Sequence, residues 1–158
     1  MSSIIFRSLF FTVLFYSLSL SAVYAQENKN LYDPVLAQSL GADDYGMKSY
    51  VLVTLLTGDS NITDEQQRNA LFRGHFANMN RLAKEKILVV AGPFMEAEPK
   101  RGLYIFNVTT LSEAEALVNT DPAVQAGIFK YELTKLYSSA ALMTVGSTHK
   151  KIQKLAVE

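Results

Sequence analysis

The chain has 158 residues, of which 49% are hydrophobic, with 15 basic side chains against 15 acidic ones and no cysteine. That length and apolar content suffice for one domain with a real core. Balanced charge argues against a nucleic-acid partner, which needs clustered Lys and Arg, and the lack of cysteine excludes disulfides, thiol catalysis and zinc sites of the cysteine type.

The first 25 residues, MSSIIFRSLFFTVLFYSLSLSAVYA, carry a single cation, Arg7, followed by an apolar run from Leu9 to about Val23 diluted by serines. Val23-Tyr24-Ala25 places small residues at the two positions a signal peptidase reads, so residues 1–25 are expected to be a secretory signal cleaved after Ala25. A membrane span needs roughly 20 predominantly apolar residues, and the following QENKN offers no cationic stop-transfer cluster. The alternative is an uncleaved anchor. Loss of Arg7 leaves 14 basic against 15 acidic groups, and without a cysteine at the cleavage point there is no lipoprotein anchor. The expected address is a bacterial periplasm or the medium, with no membrane association after cleavage.

Residues 26–46 read as a polar lead: LYDPVLAQSLG is a short helix stopped by Gly41, and ADDYG is a turn. The main domain spans 47–141. It opens with the β-type run MKSYVLVTLLT, after which GDSN is a loop. Thr63 through Gln66 has the form of a capping box, with Thr63 as N-cap, and a long helix should run from there to about Lys84. ILVVAGPF and LYIFNVTT then read as a hairpin across the charged turn EAEPKRG. Ser112 opens a second helix, SEAEALVNT. A further helical turn begins at Asp121-Pro122, since Asp caps well and Pro suits the first helical position. FKYELTKLY alternates as a last strand, and residues 142–158 form a polar tail.

The order β-α-β-β-α-β is the split βαβ arrangement of the ferredoxin-like fold: an α+β domain with one four-stranded antiparallel sheet and two helices over one face. Tyr50, Leu52 and Leu56 oppose Val51, Val53 and Leu55 in the first strand, and Leu103 and Ile105 oppose Tyr104, Phe106 and Val108 in the third. Both faces read as apolar, yet only one has helices to cover it. At about 25 cal/mol per Å², leaving the other wet is costly. Two subunits should pack sheet to sheet as a homodimer, a dimeric α+β barrel.

On the long helix, at about 100° per residue, Leu71, Phe72, Phe76, Met79, Leu82 and Ala83 share one arc facing the sheet. Arg68 and His75 fall inside it. Buried donors need partners: a backbone carbonyl would satisfy His75, and Arg68, near the helix start, could escape to solvent. Asp121-Pro122 and Gly92-Pro93 have similarly ordinary readings, as a helix opening and a strand terminator.

In combination these residues point further. His75 in the long helix, Val90-Ala91-Gly92-Pro93-Phe94 ending the next strand, Arg101-Gly102-Leu103 opening the third, Glu113-Ala114, Asp121-Pro122-Ala123 and Ala126-Gly127 together resemble the YCII-related family over about Met47 to Ala141. The lead LGADDYGMKSYVL and the trailing SSAAL are similar to those of its exported members. The resemblance implies a ferredoxin-like dimer whose cleft sets a histidine against an aspartate, here His75 and Asp121. Such a dyad suits proton abstraction from a small carbon acid, with imidazole as base and the carboxylate fixing its tautomer. One family member is a dehydrochlorinase and related barrels include isomerases, so the resemblance implies elimination or isomerisation of a small organic substrate; no cofactor is expected. Arg68 as an anion clamp is inferred from helix geometry. Gly92 and Pro93, at the turn ending the strand near the cleft, complete the expected substrate contacts.

Two readings follow: a cofactor-independent lyase or isomerase with His75 as base and Asp121 as its orienting partner, or a non-catalytic dimer that binds a small ligand or acts as an envelope stability factor. Two histidines without a third ligand nearby give no metal site, and no glycine-rich loop opens either helix for a nucleotide. His149 lies in a Lys-rich tail and reads as solvated. Asp43 and Asp44 read as an acidic turn. Asn61-Ile62-Thr63 and Asn107-Val108-Thr109 match the glycosylation pattern, which matters only in a eukaryotic secretory route.

Overall fold

The computed structural model describes residues 31–96 and 98–155. The secretory signal expected at residues 1–25 lies outside the described residues. The fold is carried by the unit that begins at Val35. Helix α1 (Pro34–Leu40) is followed by β1 (Met47–Thr57), α2 (Glu65–Lys84), β2 (Leu88–Pro93), β3 (Lys100–Phe106), α3 (Leu111–Val118), the one-turn α4 (Pro122–Gln125) and β4 (Phe129–Ser139). A 3-10 turn (Ala140–Thr144) and α5 (Val145–Ile152) close the described chain. The sheet order is β2-β3-β1-β4 with every neighbouring pair antiparallel, which is the ferredoxin-like α+β topology.

Strand alternation decides the core. Val51, Val53 and Leu55 of β1, Tyr104 and Phe106 of β3 and Phe129 of β4 point to one face, where they meet Leu82 of α2, Ala114 and Val118 of α3, and Ala123 of α4. Val51, Val53 and Phe106 are completely buried. Helix starts shift slightly from expectation. Asp64, not Thr63, caps α2, its carboxylate accepting the Gln67 N–H at 2.9 Å; two good caps stand side by side, and the second wins. Helix α3 starts at Leu111, ahead of Ser112, because Thr110 and Glu113 form a full capping box: the Thr110 hydroxyl accepts from Glu113 N–H at 3.2 Å, and Glu113 Oε2 accepts from Thr110 N–H at 3.1 Å.

The opposite face is less uniformly apolar than expected. Leu52 and Leu56 of β1, Leu103 and Ile105 of β3 and Val90 of β2 are half-buried there. Strand β4, however, sets Lys130, Glu132 and Thr134 opposite Leu56, Thr54 and Leu52. The apolar stripe is therefore confined mainly to β1, β3 and β2. The C-terminal segment, expected as a polar tail, is ordered locally: the 3-10 turn packs against β1 and β2, and α5 against β2. At that end Tyr50, which points away from α2 and α3, is only 1% exposed and donates its hydroxyl to the Ser139 carbonyl at 3.2 Å.

Candidate active site

Helix α2 buries two residues, His75 and Leu82, two turns apart on the face toward the sheet. A buried imidazole among apolar rings needs hydrogen bonds, and α4 supplies one. Asp121 is the N-cap of α4 and is 1% exposed. Its Oδ1 accepts the Ala123 N–H at 2.9 Å, while its Oδ2 accepts His75 Nδ1 at 2.6 Å. The capping role and the dyad thus use one oxygen each, and the short helix fixes the carboxylate. Gly74 permits the approach: a Cβ there would sit 3.0 Å from the Pro122 ring. A carboxylate can only accept, so the neutral imidazole carries its proton on Nδ1 and presents a lone pair on Nε2.

A third member comes from β3. The Tyr104 hydroxyl donates to Asp121 Oδ2 at 3.3 Å. It also lies 3.4 Å from both His75 ring nitrogens. A point equidistant from the two lies on neither lone-pair axis, so the carboxylate is its proper acceptor. Burial, then the nearby Asp121 charge and hydrogen bond, push the Tyr104 phenol well above its usual range. Tyr104 therefore stays a donor throughout the biological pH range. Phe72, Phe76 and Phe129 complete the cage, with ring centroids 6.2, 5.3 and 5.4 Å from the imidazole.

Phe72 and Phe129 also form one wall of a cleft of ≈ 190 Å³, whose other lining includes Thr57, Ser60, Asn61, Arg68, Glu98 and Arg101. Arg68 departs from the expected buried pair with His75. It is exposed, with its guanidinium 5.9 Å from the Phe72 ring centroid. The first turn of α2 is open to solvent, and a guanidinium with no carboxylate partner among the described residues stays hydrated there. Arg68 faces the cleft, while His75 stands behind the aromatic wall. Gly92 and Pro93 are not among the cleft's lining residues: they pair with Leu103 and Gly102 along the sheet edge. Asp43 is occupied by its turn, accepting the N–H groups of Tyr45 and Met47 at 2.9 Å and the Tyr137 hydroxyl. His149 is exposed on α5.

Sequence reasoning missed Tyr104, Thr57 and Phe129 as site residues. A signal for Tyr104 existed: alternation with Phe106 places it on the helix-covered face, where a phenol needs an acceptor. Thr57 carries no comparable signal, since a strand-terminal Thr is commonplace.

A ferredoxin-like α+β domain with a buried His–Asp–Tyr cluster at the seam of two helices and the sheet is thus the class defined by fold and site. The chain belongs to the YCII-related domain family, whose model matches residues 50–146. A solved structure to which it is similar is 5-chloro-2-hydroxyhydroquinone dehydrochlorinase (TftG) from Burkholderia phenoliruptrix AC1100, in complex with 2,5-dihydroxybenzoquinone. The identity is 20%, the match covers 52% of this chain and 90% of that one, and the TM-score is 0.39. No curated protein matches the chain.

Proposed function

We propose that this protein is a cofactor-independent lyase or isomerase that removes a proton from a small organic substrate, with His75 as general base and Asp121 as its positioning partner. The observation that carries the reading is the buried 2.6 Å contact between His75 Nδ1 and Asp121 Oδ2, which leaves Nε2 as the proton acceptor. In the step, the substrate C–H proton moves to Nε2 and the electron pair enters the adjacent carbonyl as an enolate. The enolate then expels a leaving group, or is reprotonated by the imidazolium at another carbon. Asp121 stabilises the imidazolium that forms, and the Tyr104 hydroxyl holds the carboxylate in place. Arg68, at the cleft mouth, attracts an anionic substrate. Access to Nε2 from the cleft requires the half-buried Phe72 ring, rather than the core residue Phe129, to swing aside. Gly92 and Pro93 act, in this reading, only by shaping the sheet edge near Arg101.

Solvent-isotope exchange tests this. The protein is incubated in heavy water with a panel of small enolisable acids and ketones, and deuterium uptake is read by mass. Wild-type protein should catalyse exchange on at least one, and His75→Asn and Asp121→Asn should each lower the rate by about 10²–10⁴-fold while remaining folded. Exchange by His75→Asn at the wild-type rate would refute the role of the imidazole.

A second reading has its own support: His75 does not line the cleft, as in a protein that binds a small ligand without transforming it or serves as an envelope stability factor. Binding without exchange across the panel would favour it. Both readings take the chain as a homodimer joined through the half-buried stripe of Leu52, Leu103 and Ile105, and as exported to the periplasm or medium. The support for export is the Arg7-led apolar run ending in Val23-Tyr24-Ala25 and the absence of cysteine. A mature N-terminus at Gln26 on protein in the periplasm or medium would bear it out, and protein with an intact Met1 confined to the cytoplasm would not.

A further inference from the structure

We propose that the cleft beside the dyad is a carboxylate-binding site for a flat acid of about one ring, in which Arg101 and the Thr57 hydroxyl join Arg68 as determinants of specificity. This rests on the reading of the cleft as a ligand site given above. It goes further by naming the ligand class and two residues that proton abstraction does not itself require.

Three observations carry it. The first is an orphan donor. Thr57 ends β1, its own N–H donates to the Pro99 carbonyl at 2.8 Å, and its Oγ1 is the buried side-chain polar atom without a hydrogen-bond partner among the described residues. Buried hydroxyls are nearly always paired, and Thr57 lines the cleft, so turning the buried Oγ1 about χ1 into the cleft would pair it with a bound oxygen. The second is charge. Arg68, Arg101 and Glu98 line the same cleft, so the lining carries one positive charge in excess. Glu98 Oε1 accepts from Arg101 Nη1 at 3.2 Å. A guanidinium has five N–H donors, so the other nitrogens of Arg101 remain able to hold a ligand carboxylate, for which its planar fork is suited.

The third is size and shape. A cavity of about 150 Å³ lined by apolar side chains is large enough for benzene, so ≈ 190 Å³ accommodates one ring with a carboxylate. Phe72, Phe129, Ile62 and Ile128 supply the apolar surface for the ring, with Thr57, Ser60 and Asn61 on the polar side.

The test is equilibrium binding of benzoate and of its neutral counterpart benzamide, measured by chemical-shift titration of the full-length protein. Wild-type protein should prefer benzoate by roughly tenfold or more, as expected for a charge-assisted hydrogen bond. Arg101→Gln should weaken benzoate binding and leave benzamide unchanged, Thr57→Val should weaken both because its hydroxyl serves the oxygen of either probe, and Glu98→Gln should strengthen benzoate. Equal affinity for the two probes, no binding of either, or an Arg101→Gln variant that binds benzoate like wild type would overturn the proposal. His75→Asn keeps the two readings apart. If wild-type protein and His75→Asn both bind benzoate normally and wild-type protein exchanges no carbon acid, the carboxylate site stands and the catalytic reading falls. If wild-type protein exchanges a carbon acid through His75 yet ignores charge, the carboxylate site falls alone.

Discussion

Asp121 serves two masters, and its substitution should show both. Removing the carboxylate with Asp121→Ala leaves the His75 imidazole without its partner and α4 without its cap. The expected destabilisation is about 3–5 kcal/mol if the pair is charged, as for breaking a buried ion pair, and about 1–3 kcal/mol if it is neutral. Tyr104→Phe removes only one hydrogen bond and should cost about 0.5–1.5 kcal/mol. Denaturant melts of the two variants check the ranking, and a Tyr104→Phe loss as large as that of Asp121→Ala would contradict it. At this scale the sequence shows much of the site. His75 falls on the inner arc of α2 by periodicity, and Asp121 announces itself as a cap, although only the family pattern joins two residues 46 positions apart. The sequence does not show which oxygen does what, because that depends on α4 approaching the α2 backbone at Gly74. Arg68 is misplaced by periodicity for a simple reason: an arc gives a direction, while burial also depends on how far along the helix the sheet's cover extends.

Elements are anchored by short polar turns, and these give the fold a definite response to acid. The Tyr137 hydroxyl, and then the backbone N–H of Met47, hold the Asp43 carboxyl below its usual range. The Thr110 hydroxyl and N–H do the same for Glu113 in the α3 capping box. In each case the folded state binds the proton less tightly than the unfolded chain. The stabilisation is therefore fully present above the ordinary carboxylate values of about 4 and disappears as pH falls through the lower folded value. Thermal melts between pH 2 and 6 should show Asp43→Asn with a shallower acid loss than wild type. Identical slopes would show that the Asp43–Tyr137 contact contributes nothing. Strand positions are clear from period-two alternation, whereas helix starts are displaced by one residue because Thr63 and Asp64 stand side by side as caps, and because the Thr110–Glu113 capping box begins α3 at Leu111, one residue ahead of Ser112.

For the whole molecule, the uncovered sheet face sets the expectation of a dimer. Leu52, Leu103, Ile105 and Val90 lie half-buried on that side, but β4 adds charge there and the C-terminal turn already packs on one end. The dimer contact should centre on β1 and β3. Ile105→Lys should yield a monomer by light scattering at micromolar concentration; wild-type protein running as a monomer under the same conditions would remove the case for the interface. Alternation reveals the apolar stripe in the sequence, while the partial cover by the C-terminal segment stays hidden because its own composition is polar. The central claim, that Asp121 fixes His75 as a base, is tested most directly by nitrogen-15 NMR of the imidazole in the free protein. The neutral ring should carry its proton on Nδ1 with Nε2 bare, and Asp121→Asn should mix or invert that tautomer. A proton on Nε2 in the wild-type protein, or an Asp121→Asn spectrum identical to it, would contradict the account.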